Sequence, residues 1–201
     1  MSFQYRSVEN EYTGLYKDKS SKFIAYLFPI QNQEEFANRL AALKKEHPQA
    51  RHFCYAYRLG FPKDVSKSSD DGEPAGTAGK PILNQLLSED LRNVAIIVVR
   101  YFGGTLLGSS GLIKAYKGAS ADALMKAHII QVEPRVQLTI ETDYLQLNSI
   151  LQYLKAESIK ILNKTVDDTC CIEIEIPISK YDGCIQKLES DNLKYVFINK
   201  E

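Results

Sequence analysis

The chain has 201 residues, 44% of them hydrophobic and 25% charged, with 25 Lys and Arg balanced by 25 Asp and Glu. This composition supplies enough apolar material for packed cores, which excludes a disordered chain. A formal net charge of zero excludes a protein that coats nucleic acid through bulk positive charge. Residues 1–11 are polar and lack a signal-peptide apolar run, and no run of about 18 apolar residues could cross a bilayer. The expectation is a cytoplasmic protein without a membrane partner, as a monomer or weak dimer.

In chain order, residues 20–30 are aromatic and branched and predict a buried strand paired with residues 11–17. Asn32 caps a helix in which Glu35 reaches back and Phe36, Leu40 and Leu43 form the apolar stripe. Residues 52–59 predict the next strand, and 60–79 a long polar loop of the kind that is functional or mobile. Pro81 suits the first turn of a helix carrying Ile82, Leu83, Leu86 and Leu87. Residues 94–99 are a continuous β-branched run typical of a central strand, which ends at Arg100. A glycine loop at 101–111 leads into a helix from about 110 to 126.

Pro134 opens a second unit, and the predicted domains are 1–133 and 134–201. Val136, Leu138 and Ile140 alternate with polar residues in a strand. A helix, strands near 159–165 and 170–178, a second helix and a last strand at 193–198 follow. The order βαββαβ is that of a ferredoxin-like split βαβ domain. Asp167 and Asp168 predict a turn between its strands. Residues 1–133 carry 17 basic and 14 acidic side chains, the remainder 8 and 11, so the charge changes sign at this boundary.

The four cysteines, Cys54, Cys170, Cys171 and Cys184, form no CxxC pair or zinc-like spacing and read as buried, reduced thiols. His52 and Cys54 share one face of their strand, where packing or a hydrogen bond to the acidic loop is expected. That loop, residues 69–83, holds Asp70, Asp71 and Glu73 among three glycines. It either presents amides and carboxylates to a ligand or merely caps the helix at Pro81. Mg²⁺ is the candidate ion if the acids converge. Gly103 and Gly108 have the GxxxxG spacing, but Ser109 and Ser110 stand where a Walker loop needs Lys and Ser or Thr, and there is no GxGxxG. The helix start at 108–111, with Arg100 and Lys114 near in sequence, could hold an anion or an RNA phosphate. Equally, its glycines could only allow close packing.

These segments carry a resemblance. Lys-Phe-Ile-Ala at 22–25, the 69–83 loop, and Val-Val-Arg-Tyr-Phe-Gly-Gly-Thr-Leu-Leu-Gly-Ser-Ser-Gly-Leu-Ile-Lys-Ala-Tyr at 98–116 resemble the YigZ/IMPACT family. The resemblance covers residues 15–130 and extends through the βαββαβ unit, which is similar to the last domain of elongation factor G. It implies an α+β protein whose first domain has the fold of the second domain of ribosomal protein S five. The implied context is regulation of translation. Eukaryotic members inhibit a stress-responsive initiation-factor kinase with the help of an N-terminal RWD domain. These residues contain no such segment, so the kinase role is not expected here.

The first reading is a non-enzymatic binding protein with the ribosome or RNA as partner, and no catalytic residue or metal ligand assigned. Its expected surface comprises His52, Arg58, Asp70, Asp71, Glu73, Arg100, Tyr101, Gly103, Gly104, Ser109, Ser110, Lys114 and Tyr116. Arg100, Lys114 and Lys117 would meet phosphate. Tyr101, Phe102 or Tyr116 would stack on a base if exposed. The alternative is a nucleotide- or phosphate-dependent enzyme using the acidic loop and the Gly/Ser loop.

Overall fold

The computed structural model describes residues 3–167 and 169–198. Its contacts divide the chain into a unit of Tyr5–Val132 and a second unit that begins at Glu133 and also takes in Phe3 and Gln4, and each unit has its own core.

The first unit is built on an antiparallel sheet of β2 (Tyr12–Asp18), β3 (Ser21–Pro29), β4 (His52–Leu59), β5 (Val65–Ser69) and β6 (Val94–Tyr101), in the order β2-β3-β6-β4-β5. The run in β6 is apolar on both faces because it lies in the middle of this sheet. Val94, Ile96 and Val98 pack with α2 (Gly79–Ser88) and α3 (Gly108–Lys126). Ala95, Ile97 and Val99 pack with α1 (Gln33–Glu46) on the opposite side. The same two-residue period carries Arg100 onto the α2/α3 face and Tyr101 onto the α1 face. Helix α1 starts as predicted: Asn32 accepts from the Glu35 amide at 2.8 Å, and Glu35 accepts from the Gln31 amide at 2.8 Å.

Four strands depart from the sequence expectation. Strand β5 lies inside the predicted loop at 60–79. It is an exposed edge strand of Val, Ser and Lys whose ladder to β4, not an apolar pattern, holds it. Strands β1 (Tyr5–Val8) and β7 (Ile129–Val132) form an antiparallel ribbon from the two ends of the unit. Strand β6 also runs one residue past Arg100.

The second unit contains β8 (Arg135–Thr142), α4 (Tyr144–Ala156), β9 (Lys160–Val166), β10 (Cys170–Pro177), α5 (Tyr181–Ser190) and β11 (Lys194–Phe197). Its antiparallel sheet has the order β11-β8-β10-β9. The register sets Leu138 against Ile174 and Ile140 against Ile172, forming a buried face packed with Leu147, Ile150, Leu154 and Leu188. Of the turn expected between β9 and β10, Asp168 lies outside the described residues.

Candidate binding site

The site begins with the register of the two central strands. His52 on β4 lies opposite Arg100 on β6, on the face covered by α2 and α3. Residues 70–79 fold back over this end of the sheet, and their acids take separate tasks. The Asp70 carboxylate accepts from the amides of Gly76 (2.9 Å), Ala78 (2.9 Å) and Gly79 (2.8 Å). It thereby caps α2 from eight residues away, because Ala78 at the cap position has no side chain able to do so. Burial works to raise the Asp70 pKa. The three amide bonds outweigh it and hold the carboxyl below its ordinary range. Asp71 accepts from the Phe53 amide at 2.6 Å through Oδ2, while its carbonyl lies 2.9 Å from His52 Nδ1.

Glu73 points inward. Its Oε1 accepts from Arg100 Nη1 at 2.5 Å and from the Tyr116 hydroxyl at 2.7 Å. The two charged side chains are only 6% and 4% exposed. The Cys54 thiol lies 2.9 Å from the Asp70 carbonyl and 3.2 Å from the Tyr116 hydroxyl. Burial pushes both the Cys54 thiol and the Tyr116 phenol well above their usual pKa values, so both stay protonated and act as donors. The guanidinium carbon of Arg100 lies over two aromatic rings, 5.5 Å from the centroid of Phe23 and 5.4 Å from that of Phe102. Among the described residues, its Nη2 has no hydrogen-bond acceptor, and Nε is buried with none.

A cleft of about 640 Å³ opens at this end of the sheet, lined by Gln49, Arg51, His52, Arg100, Tyr101, Phe102 and Leu106. The Tyr101 hydroxyl is fixed at 2.7 Å by His47, whose other ring nitrogen lies 2.7 Å from the Tyr26 hydroxyl. Phe102 is 55% exposed.

Of the residues expected from the sequence, His52, Arg100 and Tyr101 line the cleft, while Asp70, Asp71 and Glu73 stand behind it. Tyr116 is fully buried and offers no face for stacking. Arg58 lies at the other end of β4, opposite Val94. It is buried on Asp64 (2.8 Å), Asp90 (3.3 Å) and the Leu91 carbonyl (3.0 Å), so it fixes loops rather than joining this surface. Gly103 is needed for close approach, since a Cβ there would lie inside the backbone of Ser20 and Ser21. Gly104 is required by its φ of +84°. Ser109, Ser110 and Lys114 are exposed on the first turns of α3 but do not line the cleft. Gln49, Arg51 and Leu106 were not legible in the sequence, because only the β4–β6 register brings the segment before β4 beside the loop after β6. The three acids of the 69–83 loop do not converge as an Mg²⁺ site would require. Among the described residues, no group of three or more His, Cys, Asp or Glu is placed to hold a metal ion. Among the described residues, no helix is long and apolar enough to cross a membrane.

Known proteins place the chain in a lineage. Residues 19–124 match the family model described as the Impact N-terminal domain. The IMPACT family member YigZ of Escherichia coli (strain K12) is 38% identical over 164 residues, 81% of this chain and 80% of that protein. An IMPACT family member of Haemophilus influenzae is 41% identical over 151 residues, 73% of this chain and 72% of that protein. A crystal structure of a hypothetical protein, 31% identical, aligns over 100% of both chains with a TM-score of 0.73. With this two-domain α+β architecture and these relatives along most of its length, the chain belongs to the IMPACT/YigZ family.

Proposed function

We propose that the chain is a non-enzymatic binding protein of translation, acting in the cytoplasm, that holds a phosphate-bearing RNA segment, ribosomal RNA in the first instance. The observation that carries this reading is the lining of the cleft: exposed Arg51, the side chain of Arg100 and the ring of His52, all beside the exposed ring of Phe102. Cations for phosphate next to an aromatic face for an unpaired base are what single-stranded RNA recognition uses. The resemblance of the first unit to the second domain of ribosomal protein S five, and of the second unit to the last domain of elongation factor G, agrees with a translational context. The alternative, a phosphate-dependent enzyme, needs a free carboxylate as base or metal ligand. It is disfavoured because Asp70 and Asp71 hold backbone amides and Glu73 holds Arg100 and Tyr116.

The test is sedimentation of a lysate containing the tagged protein through sucrose at low and moderate salt, beside an Arg51→Ala/Phe102→Ala variant. Both substituted side chains are exposed, so the fold is retained. Co-migration with ribosomal particles that weakens with salt and is lost in the variant is expected. Both forms remaining at the top of the gradient would overturn the reading.

A further inference from the structure

The unpaired edge of Arg100 defines the ligand more closely than its charge does. A guanidinium binds a planar or tetrahedral anion through two N–H groups that lie side by side. Glu73 accepts from Nη1, and among the described residues no acceptor is placed on Nη2 while Nε is buried without one. A buried donor such as Nε left in that state is destabilising, and folded proteins carry few such groups without a functional reason. The two rings beside the guanidinium are not equivalent. Phe23 is fully buried within β3, whereas Phe102 is 55% exposed at the start of the loop leading to α3. Of the two rings only Phe102 lines the cleft, so a ligand entering there would reach the guanidinium by displacing Phe102 and not Phe23.

His52 adds a second constraint. Its Nδ1 lies 2.9 Å from the Asp71 carbonyl, which can only accept, so Nδ1 carries a proton. In the neutral ring Nε2 is then an acceptor, and in the imidazolium it is a donor. A phosphate monoester, whose second pKa is about 6, satisfies both states: its P–OH donates to neutral His52, and its dianion accepts from charged His52. An internal phosphodiester or a carboxylate at neutral pH has no proton to donate. A volume of about 640 Å³ has room for a nucleoside beside the phosphate, and Phe102 and Leu106 supply an apolar wall for its base.

We infer that the cleft is a site for a terminal phosphate monoester borne on a nucleoside. Its phosphate would sit on the Nε–Nη2 edge of Arg100, with Arg51 and His52 completing the contacts. The inference rests on the reading of this cleft as an RNA site and narrows it to the end of a chain. The same chemistry is offered by a free mononucleotide, and the experiment separates the two sources.

Binding of the full chain to labelled hexanucleotides ending in a 5′-phosphate, a 3′-phosphate or hydroxyls only is measured by fluorescence anisotropy. AMP, adenosine and inorganic phosphate serve as competitors. At least tenfold tighter binding of one phosphorylated end is expected, with competition by AMP but not by adenosine. Arg51→Ala should reduce the preference for that end. Phe102→Ala, which removes the exposed ring, should weaken binding of phosphorylated and unphosphorylated RNA alike. If AMP binds while no hexanucleotide does, the site stands with the free nucleotide as its ligand, and the RNA reading falls. Equal binding of all three oligonucleotides overturns the terminal-phosphate site and leaves the RNA reading intact. Binding of none of the oligonucleotides or competitors overturns both.

Discussion

Replacing Glu73 with Gln keeps the shape of the side chain and removes its charge, which isolates the worth of the buried pair. The partners are 4% and 6% exposed, so solvent screens them little, and removal of one member of such a pair costs about 3–5 kcal/mol. Gln retains an oxygen for the Tyr116 hydroxyl and for Arg100 Nη1, which places the expected loss at the lower end, about 3 kcal/mol. The control is Glu89→Gln at the Arg6–Glu89 pair, where side chains 42% and 43% exposed predict a loss of no more than about 1 kcal/mol. Native-state hydrogen exchange of the whole protein under rising urea, followed by peptide mass spectrometry, reads the two units separately. In Glu73→Gln, peptides from β4 and β6 should lose about 3 kcal/mol of opening free energy and those from β8 and β10 none. Adding Arg100→Met should restore part of the loss, because the double variant no longer buries an unpaired charge. A loss below about 1 kcal/mol in Glu73→Gln would mean that the pair is hydrated in solution, and the account of a desolvated Arg100 would fail.

Two further outcomes follow from the same network. The Asp70 carboxyl is held below its ordinary range, so its contribution is fully present above the unfolded pKa of about 3.9 and disappears as pH falls through the lower folded value. Asp70→Asn should therefore destabilise the protein by about 2 kcal/mol near pH 6 and by progressively less as the pH falls below about 3.9, as measured by urea unfolding; a difference independent of pH would contradict the assignment. Cys54, fully buried and with its pKa raised by burial, should resist iodoacetamide at pH 8 in the folded protein, whereas the partly exposed Cys171 is alkylated first. Peptide mapping that finds Cys54 modified first would show an open, activated thiol instead.

Much of the fold was legible because its signals are local. The β6 run, the cap at Asn32 and the alternation in β8 each specify their element within a few residues, and the second unit follows its predicted order throughout. What was not legible depends on pairing across distance. Strand β5 is Ser- and Lys-rich, and β1 meets β7 across the whole first unit. The site divides in the same way. Period-two spacing places His52 and Cys54 on one face, and both reach the acidic loop as expected. That Glu73 turns inward to Arg100 depends on the path of the loop, which glycine-rich composition leaves open. Arg51 enters the cleft only through the β4–β6 register, and Arg58, six residues beyond His52, is carried by the length of β4 to the other end of the sheet.

If the proposed phosphate site holds, counting cations misplaces its binding strength. Lys114 and Lys117 are exposed on α3, where an approaching phosphate would have to order a long side chain and compete with water. Ordering such a side chain costs up to about 2 kcal/mol. Arg100 has already incurred that cost: Glu73 fixes one nitrogen, Phe23 backs the plane, and Asp70 and Asp71 pin the loop that carries Glu73. An anion arriving on the remaining edge meets a group that is oriented and partly desolvated, so more of the interaction appears as affinity. The same geometry limits the ligand. Glu73 already neutralises most of the charge on Arg100, which leaves the paired N–H geometry and the contacts from Arg51 and His52 to select among anions. In the proposed site, residues that never touch the ligand would thus set what the cleft can hold.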